Sequence, residues 1–516
     1  MGASAANRSK VCRYAAASVA AAGLVLALTQ PAYTQARTEL QGALAGEQDV
    51  PQTLAGCSLP LPGGRDRDSG LAGQYISDRQ GQPYLFAPSL TARQTYSDNV
   101  TLAPEGEEES DHISQLIPAF SFCQIRQRTR TQVDYQAQLL HYWEDSDRND
   151  VYHYANVDNT TTLMQDFLFL DLGARYDQQP TTISGVLTGD NELVTGDRQD
   201  TTTLRASPYA FQSLGPVGDS VTRYEFRRTM YDEDARDTTR HIGSFNVTSP
   251  GAADPLSWQG NVRTERVTRD DIDDATYFDD GFIELGYRAI GRLTLLARGG
   301  LETVNRADGR DRFGNEYWEA GFRWSDERTS VEARYGERFF GDTYFAAISR
   351  RGGSFTARLD YRETQEIPDR IGAGVPDIPP GLENFIDIPE PELTISKRLT
   401  ASGTYETGLS TFRVTAFDDR RELVVSGDER RRYGADASWR WSFAPRTTLT
   451  PRLTWERIDD RDGQIDTLRG ARLSVARMLD RHTQAGATIR RQDRTSDIAD
   501  QEYVENAITL ELTRLF

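Results

Sequence analysis

The chain of 516 residues is poor in the residues that most often carry chemistry. It has five histidines, three cysteines and only two lysines, Lys10 and Lys397. Three cysteines over this length exclude a disulfide scaffold. None of His112, His141, His153, His241 and His482 stands beside a cysteine or carboxylate at metal-ligand spacing, so no metal and no cofactor is expected. There is no glycine-rich phosphate loop leading into a helix and no nucleophile elbow. Beyond the N-terminus no apolar run approaches the roughly 18 residues of a spanning helix. A mean hydropathy of −0.61 likewise excludes a bundle of such helices. Positive charge is outweighed, 59 Lys and Arg against 78 Asp and Glu, and a net −19 excludes nucleic acid as a partner. What is present is aromatic, at 10% of residues, which argues against disorder. Two classes remain: a large soluble protein, or a transmembrane β-barrel whose alternation conceals its hydrophobicity.

The first 36 residues indicate a compartment. Arg8, Lys10 and Arg13 precede an apolar core of fourteen residues, Ala15 to Leu28, and Thr34-Gln35-Ala36 offers a small-residue cleavage site. This is the pattern of a secretory signal peptide, too short to span a bilayer as a helix. Cleavage near Ala36 removes three positive charges and no negative one, taking the net charge from −19 to −22. Cys12 leaves with it. Cys57 and Cys123 remain, and in an oxidising compartment they can bridge as a disulfide or stay as two thiols. Leu54-Ala55-Gly56-Cys57 spells a lipoprotein box, but the apolar run that should precede it is missing. Residues 37–82 read as an irregular periplasmic leader, too short for a folded plug of any size.

From residue 83 to 516 the texture is uniform. Segments of about ten residues alternate apolar and polar, separated by turn or charge clusters. Val133, Tyr135, Ala137 and Leu139 interleave with Gln132, Asp134, Gln136 and Gln138. Ile283, Leu285 and Tyr287 interleave with Glu284, Gly286 and Arg288. Trp439, Trp441 and Phe443 interleave with Ser438, Arg440 and Ser442. A period of two places each set on its own face of a strand. A soluble sandwich also has one apolar face, so three further features are needed. The polar faces carry charge of both signs at mid-strand. Short connections (290–292, 351–353, 444–446, 480–482) alternate with long ones (97–112, 178–199, 365–392), as outer-membrane barrels alternate periplasmic turns with outer loops. The last strand, Ile508 to Leu512, leads to a terminal Phe516, the kind of signal read by the outer-membrane assembly machinery, although Arg514 stands where an apolar residue is usual. The fold expected is all-β: a single antiparallel transmembrane barrel with an even number of strands, about 22 within a range of 16 to 24, and both termini in the periplasm. Aromatics near strand ends (Tyr142, Trp143, Phe339, Phe340, Tyr344, Phe345) suit interfacial girdles, or ordinary packing.

The segment from Pro88 through Tyr96-Ser97-Asp98-Asn99 to Leu102-Ala103-Pro104, continuing past Asp111 to Pro118-Ala119-Phe120, resembles the opening of the PEP-CTERM system-associated outer-membrane β-barrel family. That family has a Tyr-Thr-Asp-Asn-like turn, Leu-x-Pro, an acidic loop and a second strand containing proline; here Ser97 replaces the commoner Thr. Val133-Asp134-Tyr135, Phe167 to Leu172, Ser207-Pro208-Tyr209 and Ile395 to Leu399 extend the likeness. The resemblance implies a Gram-negative outer membrane and loci for exopolysaccharide synthesis or exosortase sorting. It implies no catalytic residues.

The candidate pore-lining residues are charged members of the polar faces: Glu284, Arg298, Glu319, Arg323, Arg358, Asp360, Asp436, Arg440 and Arg452. Guanidinium forks suit both carboxylate ladders across a lumen and anionic sugars passing through it. Arg430-Arg431-Arg432 and Arg227-Arg228 are the densest basic clusters. The acidic run Glu105, Glu107, Glu108, Glu109 and Asp111 lacks the spacing of a calcium loop and reads as a solvated charge run, with a divalent bridge to lipopolysaccharide as the alternative. Loop 365–392 can fold inward as a constriction or sit outside as a lid. Three functions are weighed: a porin-like channel passing polar solutes, including exopolysaccharide; a closed structural barrel acting as scaffold or surface partner; and an outer-membrane enzyme centred on His112 or His153, the least favoured because neither has a positioned partner. Expected partners are outer-membrane lipid and lipopolysaccharide, the assembly machinery, and exopolysaccharide or its export proteins.

Overall fold

Neighbours in sequence pair as neighbours in space throughout the chain. The computed structural model describes residues 83–180, 191–194, 198–232, 237–250, 255–270, 272–305, 312–366, 394–424, 426–460 and 463–516. Among them run β1 (Tyr84–Ser97), β2 (Asp111–Ile125), β3 (Thr129–Tyr142), β4 (Asp150–Met164), β5 (Leu168–Pro180), β6 (Arg198–Ser213), β7 (Asp219–Tyr231), β8 (Thr238–Thr248), β9 (Leu256–Arg269), β10 (Ile272–Ile290) and β11 (Leu293–Asn305). There follow β12 (Arg312–Phe313), β13 (Glu316–Ser325), β14 (Thr329–Arg338), β15 (Gly341–Arg351), β16 (Phe355–Glu366), β17 (Thr394–Glu406), β18 (Ser410–Leu423), β19 (Glu429–Ala444), β20 (Thr447–Asp459), β21 (Ile465–Met478), β22 (Thr483–Ser496) and β23 (Tyr503–Leu515). The two-residue β12 pairs with β11 just above β13, so 22 strands cross the wall. Every pairing is antiparallel between consecutive strands. The last closes the ring: β23 pairs with β1 from Ser89↔Leu515 to Ser97↔Ala507.

The expected all-β barrel of about 22 strands is therefore the observed one. The end carrying Tyr84 and Leu515 has the short turns, as between Ile290 and Leu293 or Ala444 and Thr447, and is the periplasmic end of such a barrel. The proposed leader and signal peptide, residues 1–82, lie outside the described residues, as does nearly all of loop 365–392.

Burial is inverted relative to a water-soluble protein. Large apolar side chains are the exposed ones, with Ile283 at 62% and Leu453 at 63%, while Glu265, Glu505 and Thr415 are fully buried. In water that arrangement fails. Around a closed ring it places apolar side chains on acyl chains and polar ones on the interior. No second protein layer covers the apolar face among the described residues, so the sandwich alternative falls. Outward aromatics gather near strand ends. Phe412 stacks on Trp439 (ring centroids 5.5 Å apart), which continues to Trp441 and Phe443 near the periplasmic end. Trp318, Tyr335 and Tyr344 form a second group near the outer end. These are girdle positions.

Three of the expected girdle residues point the other way, Phe339 packing on the inward cluster of Val267, Phe278 and Val304. Tyr142 shares its inward parity with Leu140 and Gln138, is 3% exposed, and donates its hydroxyl to the Glu192 carbonyl at 2.9 Å. Phe345 lies beneath the Arg334 guanidinium, inside the barrel. Nearness to a strand end fixes the height of an aromatic and parity fixes its face.

Candidate functional site: the inner wall

Inward parity gathers arginines and carboxylates into networks that cross several strands. The clearest spans β10 to β14. Glu284, Arg298 and Glu319 are direct register partners on β10, β11 and β13. Arg298 Nη2 lies 2.6 Å from Glu284 and its Nη1 3.4 Å from Glu319. Arg334 reaches from β14 to Glu284 at 3.0 Å and also pairs with Glu332. Glu332 in turn accepts from Arg323 at 2.7 Å. Planar forks with several donors make such sharing possible, which a lysine could not reproduce. Four of the nine candidate pore-lining residues thus belong to one belt. Arg334 and Glu332 were missed by sequence reading, although both sit at the inward parity of a strand that alternates Val331, Ala333 and Tyr335 outward.

Asp436 and Arg452 form a second pair at 2.6 Å across β19 and β20, beside Arg432 with Glu456. On the same wall Asp419 accepts from Arg398 (2.9 Å), Arg421 (3.1 Å) and Ser396 (2.9 Å). Arg440 shares the inward parity of Asp436 on β19, four residues along. Asp360 pairs at 2.7 Å with Arg362 on its own strand, and Arg358 is exposed beside them. The structure thus places the nine candidates on the inward parity of six strands and splits them into separate groups.

The most buried network was not visible in the sequence. Asn191–Val194, part of the connection between β5 and β6, lies against the inner wall near the outer end. Glu192, 1% exposed, sits between Arg93 (3.3 Å) and Arg490 (3.8 Å) and accepts from Thr95. Arg93 also pairs with Glu511, and Arg490 with Glu505. Leu193 enters an apolar cluster with Val100, Ile113, Leu140 and Tyr142, and Val194 N–H donates to the Val100 carbonyl at 2.9 Å. Of the three long connections, then, 178–199 supplies the inward contact observed. Its signal was available only as an apolar pair, Leu193-Val194, inside a polar loop.

Sequence clusters dissolve on the strand. Arg430 pairs with Asp460 on the inside, as Arg432 does with Glu456, while Arg431 faces out to Asp418 at 2.8 Å. Arg227 faces in to Glu225 and Arg228 out to Asp237. The histidine candidates separate in the same way. Asp111 is buried inward, accepting from Trp143 N–H at 3.0 Å, whereas His112 stacks outward on Tyr96. His153 faces out to the Tyr135 hydroxyl at 3.0 Å. Neither histidine meets an inward carboxylate. In the acidic loop Glu109 pairs with Arg148. Cys123 points inward, is fully buried and is disulfide-bonded; Cys57 lies outside the described residues. Phe516 donates its N–H to the Pro88 carbonyl at 2.9 Å, extending the closing seam, with Arg514 over its ring at 5.6 Å.

No family model and no curated protein matches the chain. Among solved structures it is similar to the ferric enterobactin receptor of Pseudomonas aeruginosa, in complex with enterobactin, at 10% identity and a TM-score of 0.50. The match covers 84% of this chain and 81% of that one. It is similar to the FrpB iron transporter of Neisseria meningitidis at 12% identity, a TM-score of 0.50 and the same coverage. At such identity the likeness concerns the fold, a large outer-membrane β-barrel, and carries no cargo or residue across.

Proposed function

We propose that the protein is a porin-like channel of the Gram-negative outer membrane, passing polar solutes through a lumen edged by arginine–carboxylate networks. The observation that supports it most directly is that part of the inward wall is open to solvent: Arg323, Arg358 and Arg362 are exposed while facing into a closed ring. A ring of 22 strands exceeds the size that side chains alone can fill. Sugar polymers are the solute class that the resemblance to exopolysaccharide-linked barrels favours, and fixed arginines suit anionic ones. The outward residues Lys397, Arg420 and Arg431, direct register partners at the outer ends of β17 to β19, fit the phosphates of lipopolysaccharide, with Asp418 and Glu422 beside them.

The test is conductance of the purified protein in planar bilayers, with Arg358→Glu and Arg362→Glu as variants. The expected result is an ohmic conductance whose anion-to-cation preference falls in both variants. Silence across several salts, together with no swelling of proteoliposomes in small sugars, overturns the reading. A closed scaffold barrel is the second reading, favoured by the full burial of the inner face of β1.

A further inference from the structure

We infer that the inner wall from β15 to β22 carries a binding track for a carboxylate-bearing polysaccharide, formed by Arg351, Arg413, Arg452, Arg472 and Arg490. The inference builds on the reading of the barrel as a conduit for sugar polymers and gives that reading a site and a charge. It starts from a single hydrogen-bonding row of inward residues. Arg351 stands opposite Thr356, Thr356 opposite Thr404, and Thr404 opposite Arg413. From Arg413 the row passes through Ser438 to Arg452, then Arg472, then Arg490. It holds five arginines, three hydroxyls and no carboxylate. The belt between β10 and β14 is built the other way, with Glu284, Arg298 and Glu319 alternating in sign along their row. Like charges directly opposite one another across strands are destabilising, and Arg452, Arg472 and Arg490 are three such neighbours in succession. Carboxylates of adjoining rows answer two of them, Asp436 at 2.6 Å from Arg452 and Glu505 at 2.9 Å from Arg490. Arg351 and Arg413 enter no ion pair among the described residues. The row therefore holds fixed positive charge that a bound polyanion completes, the kind of local cost that a fold retains at a functional site.

The row is open and extended. From Arg351 to Arg472 none of its members is buried. Strands tilt in a barrel, so a row perpendicular to them climbs. Arg351 is the last residue of β15, at the periplasmic end, whereas Arg490 lies seven residues past Thr483, where β22 leaves that end. Seven inter-strand steps make the row about 34 Å long, which suits a chain rather than a small solute. Guanidinium forks take carboxylates in a bidentate manner, and the three hydroxyls between them can exchange hydrogen bonds with sugar hydroxyls. The row contains no aromatic ring on which a nucleobase could stack, which separates a sugar chain from a single-stranded nucleic acid.

Titration calorimetry of the full mature protein in detergent tests this, with oligogalacturonate long enough to span the row as the probe. The wild type is expected to bind it about tenfold or more tightly than a neutral maltooligosaccharide of equal length, and less tightly as salt rises. Arg351→Gln combined with Arg413→Gln is expected to lose about tenfold in affinity, the size of one charge-assisted hydrogen bond. The melting transition of that variant should stay in place, because neither side chain is ion-paired in the free protein. Arg457→Gln removes the same charge from the lipid face, where it pairs with Asp459, and should leave binding unchanged. Equal binding of the neutral chain, of monomeric galacturonate or of the double variant overturns the inference, as does tighter binding of a single-stranded oligonucleotide. Should the double variant fail to assemble, unchanged affinity in both single variants overturns it in the same way. Binding without conductance removes the channel and leaves the track, whereas conductance without binding leaves the channel and removes the track.

Discussion

The inner faces of β1 and β16 are built from the same backbone geometry and the same alternation, yet they live in different surroundings. All seven inward side chains of β1, from Leu85 to Ser97, are buried. On β16 the inward Thr356, Arg358 and Arg362 are exposed and Asp360 is intermediate. Parity decides which way a residue points and says nothing about what stands across from it. Where a second segment covers the wall, charges must be matched, because an ion out of water without a partner is very costly. Arg93 and Arg490 each hold two carboxylates, with Glu192 common to both. On the open wall water does that work, and Arg323 needs only one partner.

The comparison predicts an order of mutational cost. Glu192→Ala removes the carboxylate shared by two buried guanidiniums and the anchor of Leu193. The expected loss is about 3 kcal/mol, at the low end for breaking a buried pair because Glu511 and Glu505 remain. It should appear as the largest drop in the temperature at which the folded band converts on electrophoresis. Arg298→Ala is expected to cost about 1–3 kcal/mol, since Glu284 loses a charge-assisted bond yet keeps Arg334. Arg323→Ala, on a side chain 45% exposed, should cost no more than about 1 kcal/mol after solvent screening. A loss at Arg323 as large as that at Glu192 would erase the distinction between the two walls.

Much of the fold was legible because a period of two is a strong signal when repeated over 22 strands. The lipid-facing residues Ile283, Leu285 and Tyr287, the short turns and the belt residues Glu284, Arg298, Glu319 and Arg323 follow from it. What escaped depends on tertiary approach. Alternation could not say that Asn191–Val194 returns to the wall, that a carbonyl from that segment meets the Tyr142 hydroxyl, or that Arg334 crosses β13 and β11 to reach Glu284. Runs of like residues misled for the opposite reason: adjacent arginines such as Arg431 and Arg432 point to opposite faces, so density along the chain is not density in space.

The smallest expected effect lies outside both walls, in the periplasmic turn between β13 and β14. The Asp326 carboxylate accepts from the backbone N–H of Arg328 (2.7 Å) and of Thr329 (2.6 Å), and these two bonds hold its pKa below the ordinary carboxylate value. The sign follows from that direction. A depressed folded pKa means that the ionised form is favoured in the folded turn, so its contribution is present at neutral pH and fades as pH falls through the depressed value. Amide exchange at Thr329, followed from about pH 7 to about pH 3 across the carboxylate range, should lose protection at the acid end in the wild type. Asp326→Asn keeps an acceptor oxygen but cannot titrate there, so its protection should not show that acid step. Because the group sits in a turn outside the wall networks, the whole barrel should stay assembled throughout. A global melting transition that followed Asp326, rather than a local one, would show that the turn and the covered wall unfold as one unit, and the independence of the two regions would fail.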